Sequence, residues 1–205
     1  SMHTYLSNQN NDYVNARYSI FLAEIASTVN ELLFSYYMEK HSTDKKEKLA
    51  ILNERLDLFK ATIYRQVMFG EFELFIHEEV DKGNILIADK LSDYYYELNK
   101  TYFGDGVSVD REIRYEWLRI PHFYSPFYVY KYATGLSIAS YIVKNILDGT
   151  EGFTDKYLEF LKSGGSDDPL EILKVIDVDL SDTKVFDDAL EMFDDTINSF
   201  INSKD

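Results

Sequence analysis

Apolar side chains recur at three- and four-residue steps through most of this chain, and that spacing limits its fold more than any other feature. Between residues 18 and 41 the repeating apolar positions are Phe21, Leu22, Ile25, Val29, Leu32, Leu33, Tyr36 and Tyr37. This periodicity is typical of an amphipathic α-helix. No segment of useful length alternates with the period of two that a strand requires. The pattern therefore predicts an all-α fold.

Residues that break helices are rare, which supports the same prediction. The 205 residues include nine Gly and three Pro, while 45% are hydrophobic and 16% aromatic. Asp44 with Glu47 three residues later resembles a capping box, and Asp168 followed by Pro169 is a typical helix start. Further helices are predicted from residue 44 to well past 64, at 85–102, 126–147 and 154–161, from 169, and from 181 or 182 to 202.

The segments between these helices are expected to be less regular. Residues 107–124 lack a clear period and contain Pro121, so they are predicted to be mainly irregular. Gly164, Gly165 and Ser166 are interpreted as a plain loop. On the helix that follows Asp44, charged residues such as Arg55 are assigned to the solvated face.

The charge balance excludes two classes of partner. The chain has 21 Lys and Arg residues against 36 Asp and Glu residues, a net charge of −15. Such a field repels phosphate backbones and anionic lipid, so we expect neither nucleic-acid binding nor membrane-surface binding. The sequence has no apolar run near the ~20 residues that span a bilayer. Its first residues lack the basic and apolar regions of a signal peptide.

Several kinds of active site are also excluded. The chain has no cysteine, which rules out disulfides, thiolate metal ligands and a cysteine nucleophile, and which fits a reducing cytoplasm. It contains no HExxH, no Gly-rich phosphate loop and no GxSxG motif. Nucleotide binding through such a loop and a serine-hydrolase triad are therefore unsupported.

Glu24 is the first candidate site residue. It shares one stripe of its helix with Ile20, Ser27, Thr28 and Glu31. One interpretation is that this stripe faces water, where such residues are ordinary. The alternative is that Glu24 is a metal ligand or one of a pair of carboxylates.

The second candidate is residues 119–132, which read RIPHFYSPFYVYKY. His122 and four tyrosines lie within eleven residues, at 124, 128, 130 and 132. Imidazole and phenol groups can stabilise a developing oxyanion, and aromatic rings can line a peptide-binding cleft. The alternative is an aromatic core segment whose hydroxyls reach the surface.

These two segments are also where the chain resembles a known family. Residues 1–5 (SMHTY), 18–31 (YSIFLAEIASTVNE), 119–124 (RIPHFY) and 126–135 (PFYVYKYATG) resemble the oligoendopeptidase F family, zinc metallopeptidases related to thimet oligopeptidase. The resemblance extends in order and spacing over essentially the whole chain. It implies an all-α, multi-helix C-terminal half of a helical zinc metallopeptidase catalytic domain.

The resemblance implies a zinc site of which this chain holds one ligand. In the family an HExxH helix runs directly into a Ser-Met-His-like sequence, so both histidine ligands and the catalytic Glu are expected just before residue 1. Glu24 would then be the third zinc ligand. Two histidines and one carboxylate leave a fourth position for water, as catalytic zinc requires. Zn²⁺ is therefore expected in the complete enzyme but not in this fragment alone.

The resemblance also implies roles for the aromatic segment. His122 and nearby tyrosines would form the group that binds substrate and stabilises the transition state, and the favoured catalytic residues are His122, Tyr128 and Tyr130. Tyr124 and Tyr132 are expected to bind substrate. Helical spacing places Tyr128 and Tyr132 on one face and Tyr130 roughly on the other, so the four tyrosines cannot all converge.

The function that the resemblance implies is hydrolysis of short oligopeptides in the cytoplasm, within a deep channel that excludes folded proteins. Residues 1–205 would be the C-terminal part of the catalytic domain, partnered by the missing N-terminal part of the same protein and inactive alone. One alternative is a non-catalytic helical peptide-binding or scaffold domain derived from the same fold. Another is a generic acidic helical bundle, in which His122 and the tyrosines do not converge on Glu24.

Overall fold

The computed structural model describes residues 2–204, and the all-α prediction is confirmed: those residues contain helices and no strand. The α-helices, in chain order, are α1 (Met2–Asn10), α2 (Ile20–His41), α3 (Lys45–Phe59), α4 (Arg65–Asp81), α5 (Ala88–Phe103), α6 (Tyr130–Leu147), α7 (Phe153–Ser163), α8 (Pro169–Leu173) and α9 (Lys184–Lys204). A π-helical turn, Lys60–Tyr64, joins α3 to α4. The sequence therefore predicted the long helices correctly, except that the helix predicted from residue 126 begins only at Tyr130.

Short 3-10 helices occur at Arg111–Arg119, Pro121–Tyr124 and Lys174–Ile176. The expectation that residues 107–124 are mainly irregular is therefore wrong from Arg111 onward. A 3-10 helix has three residues per turn and places successive turns differently from an α-helix. A search for the 3.6-residue period misses it for this reason.

The chain divides into two compact units. Unit 1 combines the residues up to Phe59 with those from Thr134 onward, and unit 2 is Lys60–Ala133. In unit 1, α3 packs against α9 and α2, and α1 packs against α7. Residues 135–143 of α6 are buried at every position, which fits their apolar character on all sides of the helix.

Unit 2 has its own aromatic core. Phe72 of α4 and Tyr95 of α5 are fully buried, and their rings meet edge to face with centroids 5.1 Å apart. Ile120 and Val129 are buried in the same cluster. Both ends of the candidate aromatic segment are thus anchored in a core made by α4 and α5.

Arg55 is buried, contrary to its predicted place on the solvated face of α3. Its side chain forms an ion pair with Glu39 at 2.8 Å, donates to the Ser35 hydroxyl at 2.9 Å and lies 3.6 Å from the centroid of the Tyr36 ring. A buried guanidinium is tolerated only when its donors are paired, as they are here. Helical periodicity places the residue on the correct helix but does not show that α2 supplies these partners.

The loop at Gly164 and Gly165 is also more constrained than predicted. The Gly165 N–H donates to the carbonyl of Asn15 at 2.8 Å, and the Asn11 side chain donates to the carbonyl of Lys162 at 2.6 Å. A Cβ atom on Gly165 would overlap the carbonyl oxygen of Arg17. The residues after α1 therefore require glycine at this position for close backbone approach.

None of the helices within residues 2–204 combines the length and the apolar character needed to cross a membrane.

We expect Gly165→Ala to destabilise unit 1. The overlapping atom belongs to the backbone, so it cannot rotate away as a side chain would. Overpacking of this kind costs about 1–3 kcal/mol, which lowers the melting temperature by roughly 2–12 °C for a chain of this size. Thermal unfolding followed by circular dichroism measures the change.

Gly135→Ala is the matched control. Gly135 lies in α6 within the same unit, and apart from its chain neighbours and the adjacent backbone of α6, no atom of residues 2–204 lies within 4 Å of where its Cβ would be. Alanine is favoured over glycine inside a helix by about 0.5–1 kcal/mol, so this variant should melt at the wild-type temperature or above. Equal melting temperatures for both variants would contradict the steric explanation.

Candidate active site

Glu24 lies on α2 in unit 1. Ser19 caps the N-terminus of this helix, and its hydroxyl accepts the Leu22 N–H at 3.4 Å. Ile25 and Val29 are fully buried, whereas Glu24 is half-buried and its neighbours Ser27 and Glu31 are exposed. Glu24 thus lies at the edge of the buried face of its helix.

The Glu24 carboxylate is free to bind a cation. Among residues 2–204 no side chain donates a hydrogen bond to it and no Lys or Arg pairs with it. Carboxylate oxygens are established zinc ligands, so the residue fits one position of a zinc site. The described residues hold no group of three His, Asp or Glu side chains placed to bind a metal. Glu24 would therefore need ligands from outside these residues.

The aromatic segment of unit 2 is held by a buried carboxylate, Glu116, on the first 3-10 helix. The Tyr95 hydroxyl donates to it at 2.8 Å and the Arg65 guanidinium at 2.6 Å, and Arg119 forms a further ion pair. Burial raises the pKa of Glu116, but the hydrogen bonds from Tyr95 and Arg65 outweigh burial and hold that pKa below its usual value. Burial, and then the hydrogen bond to Glu116, raise the pKa of Tyr95.

His122 lies at the centre of a small aromatic group. Its ring stacks on Tyr128, with centroids 5.8 Å apart, and meets Tyr132 edge to face, also at 5.8 Å. The rings of Tyr128 and Tyr132 are 5.6 Å apart. The Tyr132 hydroxyl is 3.4 Å from His122 Nε2, and the imidazole tautomer decides which group donates. We call His122, Tyr128 and Tyr132 the aromatic triad.

The two remaining tyrosines are more exposed than the members of this group. The structure leaves Tyr124 85% exposed at the end of the second 3-10 helix, and Tyr130 52% exposed at the start of α6. The rings of Tyr128 and Tyr132 are in contact, although Tyr128 precedes α6 and so does not share a helical face with Tyr132 as the spacing predicted. The structure therefore brings three of the five predicted aromatic site residues into mutual contact.

The triad offers donors of the kind that stabilise negative charge. Phenol and imidazole N–H or O–H groups can hydrogen-bond to a developing oxyanion. Lys131 adds positive charge, because its ammonium nitrogen lies 5.2 Å from the centroid of the Tyr128 ring. The side chains of the triad are all half-buried, which allows contact with both the core and a ligand.

Sequence reasoning did not single out several residues that contact this segment. Glu73 Oε1 accepts the Phe127 N–H at 2.6 Å and His77 stacks on the Phe127 ring, and Glu116 and Lys131 make the contacts described above. One signal was present for Glu73. It lies four residues after Phe69 and one residue after Phe72, and so falls within the apolar side of its helix. A carboxylate at such a position must be hydrogen-bonded, but the sequence does not identify its partner.

A comparison with protein families decides the affiliation of the chain. Residues 1–192 match the model of Peptidase family M3. The chain belongs to this family. The resemblance to oligoendopeptidase F is also confirmed, because Oligopeptidase PepF of Bacillus subtilis is 43% identical over 198 residues. The plasmid-encoded oligoendopeptidase F of Lactococcus lactis subsp. cremoris is likewise 43% identical over 198 residues.

Solved structures agree with this affiliation. Oligoendopeptidase-F from Enterococcus faecium is 40% identical with a TM-score of 0.88, and a second structure, from Chlamydophila abortus, is 41% identical with a TM-score of 0.95. The chain spans only about a third of the proteins that it matches: 30% and 33% of the two bacterial relatives, and 36% and 34% of the two solved chains.

Replacement of Glu116 is expected to give a pH-dependent loss of stability. Glu116→Gln removes the charge that Arg65 and Tyr95 bind, and hydrogen bonds to a charged group contribute about 1.5–3 kcal/mol. Because the pKa of Glu116 is lowered in the folded state, its contribution is present near pH 7. It is lost as the pH falls below about 4 and through that pKa. Urea unfolding at pH 7 and pH 3 measures the difference.

Glu112→Gln is the control on the same 3-10 helix, since Glu112 is exposed. This variant should follow the wild-type stability at both pH values. A Glu116→Gln variant whose loss of stability is equally large at pH 3 would show that the carboxylate charge is not the cause.

Proposed function

We propose that residues 1–205 are the C-terminal part of the catalytic domain of a zinc-dependent oligoendopeptidase that hydrolyses short peptides in the cytoplasm. The observation that carries the proposal is the match of residues 1–192 to Peptidase family M3. The names of the two bacterial relatives, oligopeptidase and oligoendopeptidase, support short peptides as the substrate class. The other partner is the remainder of the same protein.

Glu24 is proposed as one protein ligand of the zinc ion. The residue is half-buried, and within the described residues 2–204 no Lys or Arg pairs with its carboxylate, which supports the assignment. The other two ligands and a catalytic Glu come from an HExxH segment that lies outside these 205 residues. When bound, zinc lowers the pKa of a coordinated water and polarises the scissile carbonyl.

The aromatic triad is proposed to stabilise the tetrahedral transition state. Tyr128 donates its hydroxyl proton in a hydrogen bond to the developing oxyanion. His122 stacks against the Tyr128 ring and Tyr132 borders both rings, so together they hold the phenol in place. A hydrogen-bond donor that faces the developing negative charge of the transition state accelerates the reaction more than a donor that binds the ground-state substrate equally well. Tyr130 is the second candidate for the donor, and Tyr124 and Tyr132 are proposed substrate contacts.

The 205-residue chain alone is proposed to be inactive. One carboxylate cannot hold zinc at useful affinity, because the ligands of a zinc site act together. The net charge of −15 argues against nucleic acid or anionic membrane as the physiological partner. The function thus depends on chain segments that supply the histidines.

Glu24→Gln in the complete protein, expressed from its whole gene, should abolish zinc binding. The amide oxygen is neutral and cannot replace an anionic ligand. Metal analysis of purified protein should find about one zinc per wild-type chain, as a two-histidine, one-carboxylate site binds, and only background zinc in the variant. Cleavage of a quenched fluorescent peptide should be lost in parallel.

Glu31→Gln is the matched control, because Glu31 is an exposed carboxylate on the same helix; it should keep both zinc and activity. The 205-residue chain is the second control and should neither retain zinc nor cleave the peptide. Zinc-dependent cleavage by this chain alone, or a complete gene without HExxH before Ser1, would contradict the proposal. The second result would favour the non-catalytic peptide-binding alternative.

Tyr128→Phe should lower kcat with little change in KM. The substitution removes one oxyanion donor and leaves the ring in place, and such a loss costs about 100- to 1,000-fold in kcat. Steady-state kinetics on the complete protein compares it with Tyr130→Phe and Tyr132→Phe. Tyr115→Phe is the control, since Tyr115 is exposed on the first 3-10 helix. A larger loss of kcat in Tyr130→Phe than in Tyr128→Phe would identify Tyr130 as the oxyanion donor.

A further inference from the structure

Phe127, directly before Tyr128, has a backbone conformation that needs outside support. Its φ is 52°, in the left-handed region that residues other than glycine rarely adopt. Such conformations persist only where surrounding contacts hold them. The contacts around Phe127 therefore identify what fixes this part of the site.

Glu73 of α4 provides the central contact. Its Oε1 accepts a hydrogen bond from the Phe127 N–H at 2.6 Å, and the residue is only 3% exposed. One turn further along the same helix, the His77 ring stacks on the Phe127 ring with centroids 4.6 Å apart. Neighbouring positions of α4 thus hold both the backbone and the side chain of Phe127.

Burial of the Glu73 carboxyl group makes an unfavourable contribution to the free energy of folding. Its second oxygen, Oε2, is buried and has no hydrogen-bond partner among residues 2–204, and no Lys or Arg pairs with it there. An apolar side chain of similar size avoids the desolvation cost at such a site. General stabilisation of the core is thus a poor explanation for a carboxyl group here, whereas its bond to the Phe127 N–H requires an acceptor.

Tyr128 lies between two anchored neighbours. Phe127 is bound by Glu73 on one side, and Val129 is fully buried in the unit 2 core on the other. The Tyr128 N–H also donates to the Ser125 carbonyl at 3.2 Å, which closes a turn. With both flanking residues held, the Tyr128 ring is directed to its stacked position on His122.

We propose that Glu73 is a positioning residue that acts through the Phe127 N–H to hold Tyr128 against His122, and so sets the geometry of the oxyanion donor. This inference rests on the proposed function for the reaction that it serves. A displacement of about 1 Å in a catalytic group can cost 100-fold in rate. The turn from Ser125 to Val129 contains no helix or strand of its own, so its position depends on such contacts.

The kinetic test uses the complete protein with Glu73→Leu and Glu73→Gln. Leucine has no acceptor for the Phe127 N–H, and its variant should lose about 10- to 100-fold in kcat, with KM and zinc content near wild type. Glutamine keeps an acceptor oxygen at the same reach and should restore kcat close to wild type. Glu73→Ala is a second variant without an acceptor, in case leucine disturbs packing.

A double variant tests whether Glu73 acts through Tyr128. If it does, Glu73→Leu combined with Tyr128→Phe should be no slower than Tyr128→Phe alone, because the donor that Glu73 positions is already absent. A loss of kcat in the double variant that equals the product of the two single-variant losses would overturn the proposal. So would equal kcat losses in Glu73→Gln and Glu73→Leu, since glutamine retains the acceptor.

A structural test separates this inference from the proposed function. Amide hydrogen exchange of Phe127 is measured in the 205-residue chain, where no activity is needed. Glu73→Leu should speed this exchange while Glu73→Gln leaves it slow, and Glu78→Leu, which replaces an exposed carboxylate on the same helix, should have no effect. Unchanged exchange in Glu73→Leu would overturn the positioning role. Absence of peptidase activity in the wild-type complete protein would instead overturn the proposed function.

Discussion

A carboxylate removed from water needs hydrogen bonds, and the aromatic segment of unit 2 depends on two buried carboxylates, of which Glu73 is hydrogen-bonded through one oxygen only. Glu116 receives hydrogen bonds from Arg65 of α4 and Tyr95 of α5, and Glu73 accepts the N–H of Phe127. Residues 111–129 contain 3-10 helices and turns but no α-helix or strand. The buried carboxylates therefore connect this segment to the rigid α4–α5 pair and place the aromatic triad.

Unit 1 is organised mainly by apolar burial. Its long helices bury continuous stripes, such as Ile25 and Val29 on α2, and residues 135–143 of α6 are buried all round. The buried stripe of α2 fixes the position of Glu24, and no side chain among residues 2–204 donates a hydrogen bond to its carboxylate, which stays available to a cation. The two groups of proposed site residues are thus positioned by different interactions. Apolar packing of α2 positions Glu24, whereas hydrogen bonds to buried carboxylates position the segment that carries the aromatic triad.

Sequence periodicity predicted the long helices well, because each buries one apolar face and that requirement is visible in the residue order. It predicted less well where polar residues are buried. Helix α1 buries His3 and Ser7 and has no apolar stripe to reveal it. Arg55 was predicted to face solvent, but it is buried. Its ion-pair partner, Glu39, belongs to another helix, so the residue order along α3 does not reveal the pairing that permits burial. Gly165 was interpreted as part of a plain loop, because its close neighbour, the Arg17 carbonyl, is distant in sequence.

The sequence by itself determined the all-α class, the long helices, the candidate residues Glu24 and His122, and the resemblance to oligoendopeptidase F. These follow from local order: the period of apolar residues, capping residues and motifs read along the chain. Only the tertiary structure decided that Tyr128 and Tyr132 contact His122 while Tyr124 and Tyr130 are largely exposed. It alone revealed that Glu73, some fifty residues earlier in the chain, holds the turn before Tyr128. The physical reason is that hydrogen bonds and ring contacts form between neighbours in space, and residue order does not specify which distant groups the packed helices bring together.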